Sequence, residues 1–407
     1  MSAPTKPGRD SVGTIEDLHE LASTITGLDD FGGDDYRTGL AVLLDSYAGE
    51  AQLTPWGNKV TRSTLRGALV ARLLSEAAWH ANPSHADVAI QRPIFVTGLP
   101  RTGTTALHRL LCEDPAHQGL EMWLTQVPQP RPPRETWAAD PVFQHLQAGF
   151  DKHHVENPEF MGVHYISADM VEECWQLLRQ SMLSIAYESL AHLPTYSAWL
   201  AQQDWAPAYE RHRRNLQLIG LNDPGRRWVL KNPSHLFALD ALLAVYPDAL
   251  VVQTHRDPRV VVASSSSLSA HATEGQSDLF RGEVIGRHQL ELWARGADVF
   301  LAERSRHDPA QFVDVHYEDF VADPIGTVES IYQAFGLSLD DEARAAMATV
   351  QAKSRSGQRR PSHAYSLRDF GLTGDEVDAR FAGYLVAALH DRGHCRRDHQ
   401  GRDCLGR

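Results

Sequence analysis

A glycine-rich turn at residues 98–105, Gly-Leu-Pro-Arg-Thr-Gly-Thr-Thr, combines residue types that can bind an anion. Gly98 and Gly103 allow the chain to turn tightly, so that successive backbone N–H groups can point at one centre. The apolar run at 93–97 predicts a buried strand before the turn, and residues 106–111 predict a helix after it. A helix N-terminus adds unpaired N–H groups and the positive end of a dipole. This segment therefore predicts an anion site between a strand and a helix.

The spacing of the turn matches the phosphate-loop motif GxxxxGK[ST] except at one position. Thr104 stands where the motif has lysine, and the cation, Arg101, comes three residues earlier. The hydroxyls of Thr104 and Thr105 add hydrogen-bond donors. The alternative is an ordinary strand–helix turn without a ligand.

Residues 101–105 resemble the 5′-phosphosulfate loop of sulfotransferases that use 3′-phosphoadenosine 5′-phosphosulfate (PAPS). In that family a Lys or Arg precedes a Ser/Thr-Gly-Thr-Thr run, and every position is matched here. The resemblance implies PAPS as co-substrate, with no metal ion required. It also implies that the donor is bound by Arg101, Thr102, Gly103, Thr104 and Thr105.

The family binds the 3′-phosphate of PAPS through an Arg at a strand end and a Ser eight positions later. Here the predicted strand 250–254 is followed by Arg256, and Ser264 lies eight residues beyond it. An arginine can grip a phosphate through two parallel hydrogen bonds, and a hydroxyl two helical turns on can add another. The alternative for Arg256 is a surface ion pair with Asp257.

Cytosolic sulfotransferases carry a strand–Lys–x–His element about two dozen residues before the 3′-phosphate arginine. Lys231 and His235 precede Arg256 by 25 and 21 residues, although three residues separate them from each other. The resemblance therefore implies that both lie at the site, Lys231 against the leaving group and His235 as a candidate base. In the alternative, Ser234 caps a helix that His235 merely begins.

Glu121 is a second candidate base, twenty residues after Arg101. Tyrosylprotein sulfotransferases and bacterial relatives are similar here and use a Glu at this place as general base. Burial and a neighbouring anion would raise the pKa of such a carboxyl, as a base near neutrality requires. The alternative is an ordinary surface acid. The choice between Glu121 and His235 stays open at this point.

The basic segment 353–360 loosely resembles the C-terminal loop that covers the 3′-phosphate and adenine in cytosolic sulfotransferases. The resemblance implies that Arg355 and Gly357 contact the nucleotide. A basic loop facing solvent is the alternative.

Four apolar runs predict strands, at residues 93–98, 228–230, 250–254 and 312–316, with helical segments between them. Such alternation predicts a parallel sheet with helices on both faces and a ligand at the carboxyl ends of the strands. With the resemblance, the expected fold is a three-layer α/β/α sandwich, the sulfotransferase fold related to phosphate-loop NTPases.

We divide the chain into an N-terminal helical extension (1–90), an α/β core (91–370) and a C-terminal helix and tail (371–407). Thr14 and Asp17 predict the start of the first helix. Within the core, an insertion at 125–225 occupies the region that lines the acceptor pocket in the family. Five of the nine Trp lie between residues 123 and 205, which favours a partly apolar acceptor, either a small molecule or a lipid. The alternative is that these side chains pack helices 172–190 and 195–205 onto the sheet.

The composition excludes several classes of partner. With 39 Lys+Arg against 52 Asp+Glu the net charge is −13, which argues against binding to nucleic acid. We expect no transmembrane segment and no secretory signal, and hence a cytoplasmic protein. The spacing of His394, Cys395, His399 and Cys404 fits no common zinc pattern, so we expect no metal site. A homo-oligomer is compatible with the sequence.

Three functions follow from these features. The main hypothesis is a PAPS-dependent sulfotransferase. A phosphate-loop kinase or NTPase is the enzyme alternative, but it predicts Lys at position 104 and an Asp at a strand end for Mg²⁺. A nucleotide-binding protein without catalysis would keep the phosphate-binding residues and tolerate loss of both candidate bases, Glu121 and His235.

Overall fold

The computed structural model of the chain describes residues 9–156, 166–356 and 365–387. Its centre is a parallel five-stranded sheet with the strand order β2-β3-β1-β4-β5. The strands are β1 (Ile94–Gly98), β2 (His117–Gln118), β3 (Arg227–Lys231), β4 (Leu250–His255) and β5 (Phe312–His316). The four predicted strands are confirmed. The edge strand β2 escaped prediction because it has only two residues, both polar.

The register of the sheet brings three strand ends together around β1. Val96 of β1 pairs with Lys231 of β3, and Gly98 of β1 pairs with Thr254 of β4. Because the strands are parallel, their carboxyl ends lie on the same side of the sheet, and the segments that follow the strands all begin there. The turn after β1 therefore lies between the ends of β3 and β4.

Helices cover both faces of the sheet, and alternate residues of β1 show this directly. Ile94 and Val96 belong to one buried apolar cluster, whereas Phe95 belongs to another on the opposite face. All five residues of β1 are buried. A strand buried at every position is typical of a parallel sheet covered on both faces, and the predicted three-layer α/β/α fold is confirmed.

The helices differ in what they cover. On the Ile94 face pack Thr104–Leu111, Tyr317–Ala322, Pro324–Ala334 and part of Asp341–Ser356. The remaining longer helices, which supply or adjoin the cluster around Phe95, are Ile15–Thr26, Arg37–Gly49, Pro55–Ala81, Pro141–Glu156, Ala206–Ile219, Leu239–Val245, Pro258–Ala272, Glu283–Arg304 and Gly374–Arg380. Shorter helices are Met122–Gln126, Trp175–Leu178, Ile185–Glu188 and Pro194–Leu200.

The N-terminal helices share one core with the insertion. Leu65 and Leu69 of the helix Pro55–Ala81 lie fully buried in the same cluster as Leu177. A buried ion pair joins the two regions, since Arg211 donates to Glu76 over 2.6 Å. At the start of the extension, the Thr14 hydroxyl accepts from the Asp17 N–H, as the sequence predicts.

Two findings concern the rest of the chain. Among the described residues, no helix is both long enough and apolar enough to cross a membrane. Residues 353–356, expected in a loop, form the last turn of the helix Asp341–Ser356. The side chain of Arg355, all of Gly357, and the His394–Cys404 group lie outside the described residues.

Breaking the buried ion pair tests whether the extension belongs to the core. Arg211→Ala leaves the Glu76 carboxylate buried without its cation, so we expect the free energy of unfolding to fall by about 3–5 kcal/mol. The control is Arg287→Ala, which removes an exposed pair with Glu283 and should cost about 0.5 kcal/mol. Urea unfolding of both variants measures the difference, and equal losses would contradict the assignment.

Candidate active site

The turn at residues 98–105 has the backbone geometry that its glycines predict. Gly98 and Gly103 adopt φ values of 142° and 89°, and Arg101 also lies in the left-handed region, with φ of 65°. A Cβ on Gly98 would lie 2.5 Å from the Thr254 carbonyl oxygen, so no other residue fits there without a shift. No side chain caps the helix that begins at Thr104. Its first N–H groups thus border the turn.

Thr102 braces the turn from inside. Its hydroxyl donates to the Leu99 carbonyl (2.6 Å) and lies 2.5 Å from the Thr254 hydroxyl. With 1% of its surface exposed, this side chain faces the sheet. Any contact of Thr102 with a ligand would therefore be made by its backbone.

The structure brings Arg256 and Ser264 against this turn. Arg256 Nη1 donates to the Arg101 carbonyl (2.8 Å), and its guanidinium lies 3.8 Å from the ring centre of Tyr317. Arg101 Nε donates to the Ser264 hydroxyl (3.1 Å). The Arg256 and Ser264 groups thus both contact the same loop residue, Arg101.

Lys231 contacts the other side of the turn. Its ammonium donates to the Thr105 hydroxyl (3.1 Å) and to the Glu173 carboxylate. Only 2% of Lys231 is exposed. An ion pair of Lys231 with Glu173 therefore borders the start of the helix that follows the turn.

Glu173 reaches this position because its segment crosses the ends of two strands. Val171 forms an antiparallel bridge with Glu121, just beyond β2. Three residues later, the Cys174 N–H donates to the Lys231 carbonyl at the end of β3 (3.1 Å). Glu173, between these two anchors, lies directly beside Lys231.

Glu121 lies one strand farther out and is bound by a different cation. Arg131 Nε donates to its carboxylate (3.0 Å), and the same guanidinium also donates to Gln118 and Asp223. Burial raises the pKa of Glu121, and the charge of Arg131 opposes that rise. Glu121 and Arg131 line a cavity of about 850 Å³ beside β2.

His235 lies in the core, contrary to the expectation that it reaches the site. Its exposed fraction is 0%, and its ring packs edge-on against Phe95 with centroids 5.1 Å apart. Nδ1 contacts the Tyr209 hydroxyl (2.7 Å), while Nε2 has no hydrogen-bond partner among the described residues. Burial lowers the pKa of His235 well below its usual value. The imidazole is therefore neutral, and its complete burial prevents contact with an acceptor substrate.

Comparison with known proteins agrees with this geometry. Residues 93–341 match the family model described as "Sulfotransferase family". The crystal structure of sulfotransferase STF1 from Mycobacterium tuberculosis H37Rv is 59% identical in sequence, with a TM-score of 0.87 over 92% of this chain and 100% of that chain. The chain belongs to the sulfotransferase family.

Two further relatives are similar to this sulfotransferase. The structure of STF9 from Mycobacterium avium is 30% identical, with a TM-score of 0.84 over 93% of this chain and 97% of that one. The omega-hydroxy-beta-dihydromenaquinone-9 sulfotransferase Stf3 of Mycobacterium bovis is 32% identical over 256 residues. That match spans 60% of this chain and 63% of the length of Stf3.

The structure brings some of the expected residues together and leaves others apart. Arg101, the turn, Arg256, Ser264 and Lys231 form one connected group. Sequence reasoning did not connect this group with Glu173, which binds Lys231, or with Tyr317, whose ring lies against the Arg256 guanidinium. The adjacent acids Glu172-Glu173 were the available signal, but no spacing linked them to Lys231.

Substituting Gly98 tests the close approach of β1 and β4 in this sulfotransferase. Gly98→Ala combines a strained φ with a clash against Thr254, so we expect a loss of about 3 kcal/mol in unfolding free energy. Gly275→Ala is the control, because φ there is also positive (72°) but nothing lies within 4 Å of the added Cβ. Its loss should be about 1 kcal/mol. Equal losses in chemical denaturation would rule out the clash.

Proposed function

We propose that the protein transfers the sulfuryl group of PAPS to a hydroxyl of a partly apolar small-molecule or lipid acceptor. The observation that carries this proposal is the contact between the turn and Arg256, since Arg256 donates to the Arg101 carbonyl. A nucleotide with phosphates at both 5′ and 3′ positions has the charges to engage both elements at once. Membership of the sulfotransferase family supports the same reaction.

In this proposal the donor is held by groups that are already adjacent. The 5′-phosphosulfate binds the N–H groups of the turn and the hydroxyls of Thr104 and Thr105. The 3′-phosphate binds Arg256 and Ser264. Arg101, which contacts both of these residues, adds positive charge between the two anionic groups. Preorganised donors of this kind stabilise charge without moving during the reaction.

Lys231 and Glu173 would have different roles in the reaction, Lys231 in neutralising charge on the leaving group and Glu173 in accepting a proton. In the structure, the Lys231 ammonium donates to Glu173. Bound phosphosulfate would compete for that ammonium, which frees the Glu173 carboxylate to accept the proton of the acceptor hydroxyl. The acceptor oxygen then forms a bond to sulfur as the bond from sulfur to the bridging oxygen breaks. Lys231 and the turn neutralise the charge left on 3′-phosphoadenosine 5′-phosphate (PAP).

Glu121 is the second candidate base. Its burial and raised pKa suit a proton acceptor. However, Arg131 binds its carboxylate, and Glu121 follows the edge strand β2 rather than contacting Lys231 or Thr105. Geometry therefore favours Glu173, which shares Lys231 with the turn.

The acceptor class is supported chiefly by similarity to Stf3, whose name specifies an omega-hydroxylated menaquinone. The tryptophans that suggested an apolar acceptor pack mainly in the core, since Trp123, Trp137 and Trp205 are buried. Trp175 and Trp199 are half-buried. We therefore propose a hydroxylated, largely apolar acceptor on the ground of the relative rather than of these side chains.

Calorimetric titration tests the donor. We expect PAP to bind without Mg²⁺ and more tightly than ATP, because PAP carries the 3′-phosphate for Arg256 and ATP does not. With Mg²⁺ present, the affinity for ATP should still be lower than the affinity for PAP. Tight, Mg²⁺-dependent binding of ATP with weak binding of PAP would instead indicate a kinase or NTPase.

Replacing the two carboxylates separately tests the base. Glu173→Gln should lower the rate of PAP release from PAPS about 10²–10⁴-fold, the usual contribution of a general base. An omega-hydroxylated short-chain menaquinone serves as acceptor, with water alone as background. The affinity for PAP should change by no more than a few-fold.

Glu121→Gln is the matched control, because it makes the same chemical change in a buried, ion-paired carboxylate. It should retain most of the rate, with a loss limited to reduced stability. The reverse pattern, an inactive Glu121→Gln and an active Glu173→Gln, would assign the base to Glu121.

A further inference from the structure

The C-terminal segment, to which sequence reasoning assigned no role, lies beside the proposed 3′-phosphate site. The helix Gly374–Arg380 continues into helical residues 382–387. Tyr384 and Leu385 line a cavity of about 490 Å³ together with Arg256 and His316. The segment therefore forms part of the wall next to Arg256.

Tyr384 contacts the residue that precedes Arg256. His255 is the last residue of β4, and its Nδ1 lies 3.0 Å from the Tyr384 hydroxyl. The two rings also pack together, with centroids 5.6 Å apart and planes inclined by 31°. Both side chains are buried. The end of β4 is thus fixed by a side chain from the C-terminal segment.

The other nitrogen of His255 is held from the opposite side. Nε2 lies 2.7 Å from Asp314 of β5, and Arg304 donates to both oxygens of that carboxylate, over 2.6 and 2.5 Å. Burial of Asp314 favours its neutral form, but the hydrogen bonds from Arg304 and His255 outweigh this and hold its pKa below the ordinary value. Asp314 is thus an anion that accepts a hydrogen bond from His255 Nε2–H.

The Tyr384 hydroxyl and His255 Nδ1 form a hydrogen-bonded pair. When the imidazole carries a single proton and Nε2–H donates to Asp314, Nδ1 is the acceptor and the Tyr384 hydroxyl is the donor. Burial raises the pKa of Tyr384, which keeps that proton on the hydroxyl. Arg304, Asp314, His255 and Tyr384, here called the His255 network, form a continuous hydrogen-bonded chain, in which His255 and Tyr384 are buried and Arg304 and Asp314 are half-buried.

We infer that Tyr384 and His255 are positioning residues for Arg256, and that they set the preference of the site for nucleotides with a 3′-phosphate. This inference rests on the proposed function. Arg256 leaves β4 directly after His255, and its guanidinium reaches the Arg101 carbonyl and the Tyr317 ring. A bidentate grip on phosphate depends on the direction of the guanidinium. The His255 network supplies that direction from outside the turn.

The test compares PAP with adenosine 5′-monophosphate (AMP), which lacks only the 3′-phosphate. The full-length protein and its Tyr384→Phe variant are titrated with each nucleotide in a calorimeter. Tyr384→Phe keeps the ring and removes the hydroxyl. We expect its affinity for PAP to fall about three- to tenfold, the effect of one hydrogen bond, and its affinity for AMP to stay unchanged.

Tyr246→Phe is the matched control, because the Tyr246 hydroxyl contacts a second buried histidine, His212, over 2.8 Å in the core. This variant should keep the wild-type ratio of PAP to AMP affinity. In Arg256→Ala that ratio should drop strongly, and adding Tyr384→Phe should lower it no further. Should Tyr384→Phe fail to fold, His255→Gln, which can still donate to Asp314, measures the same effect.

The outcomes separate the two proposals. Equal affinity of the wild type for PAP and AMP would overturn the proposed function and this inference with it. A wild type that prefers PAP, together with a Tyr384→Phe variant that keeps the whole preference, would overturn the inference alone. Equal losses of PAP and AMP affinity in that variant would also overturn it, since they would show a structural role only.

Discussion

The close pairing of β1 with β4 is the constraint on which the site depends. At Gly98 the two strands approach so closely that a Cβ would meet the Thr254 carbonyl. The Thr102 hydroxyl lies 2.5 Å from the Thr254 hydroxyl, and this contact fixes the turn to β4. Because Arg256 lies two residues past Thr254, it reaches the Arg101 carbonyl without any long connecting loop. A sheet with another strand beside β1 would separate the two proposed phosphate-binding elements.

The sequence was sufficient for those parts of the fold that local patterns determine. β1, the centre of β3 and the start of β4 are short apolar runs buried on both faces, β5 has buried apolar residues at Phe312 and Val315, and the glycines of the turn have positive φ values. β2 and Glu173 have no such local pattern. Glu173 meets Lys231 only because residues 171–174 are laid across two strand ends by backbone contacts to Glu121 and Lys231. Contacts of that range cannot be read from spacing in a single sequence.

His235 shows how a suitable spacing can mislead. The Asn232 side chain, rather than Ser234, caps the turn after β3, accepting from the Ser234 N–H over 2.8 Å. In the short helix Pro233–Phe237 that follows, the His235 ring packs against Phe95, on the face of the sheet that Phe95 covers. Lys231 is the last residue of β3, and its ammonium lies at the carboxyl end of that strand, beside Thr105. Lys231 and His235, four residues apart, thus lie in different surroundings because the chain turns between them at Asn232.

Local charge, rather than net charge, explains how this chain can present a site for an anion. The whole molecule carries −13, which repels an anionic nucleotide at long range, although salt screens that repulsion beyond about 10 Å at 0.1 M. Near the turn, each cation already has a partner in the protein: Glu173 for Lys231, Ser264 for Arg101 and the Arg101 carbonyl for Arg256. These partners keep the cations in place and hydrogen-bonded. In the proposed function, nucleotide binding is an exchange of partners, in which phosphate oxygens replace a carboxylate, a hydroxyl and a carbonyl. With Glu173 as the proposed base, the Lys231 exchange would also release that carboxylate, so that donor binding and preparation of the base would be one event.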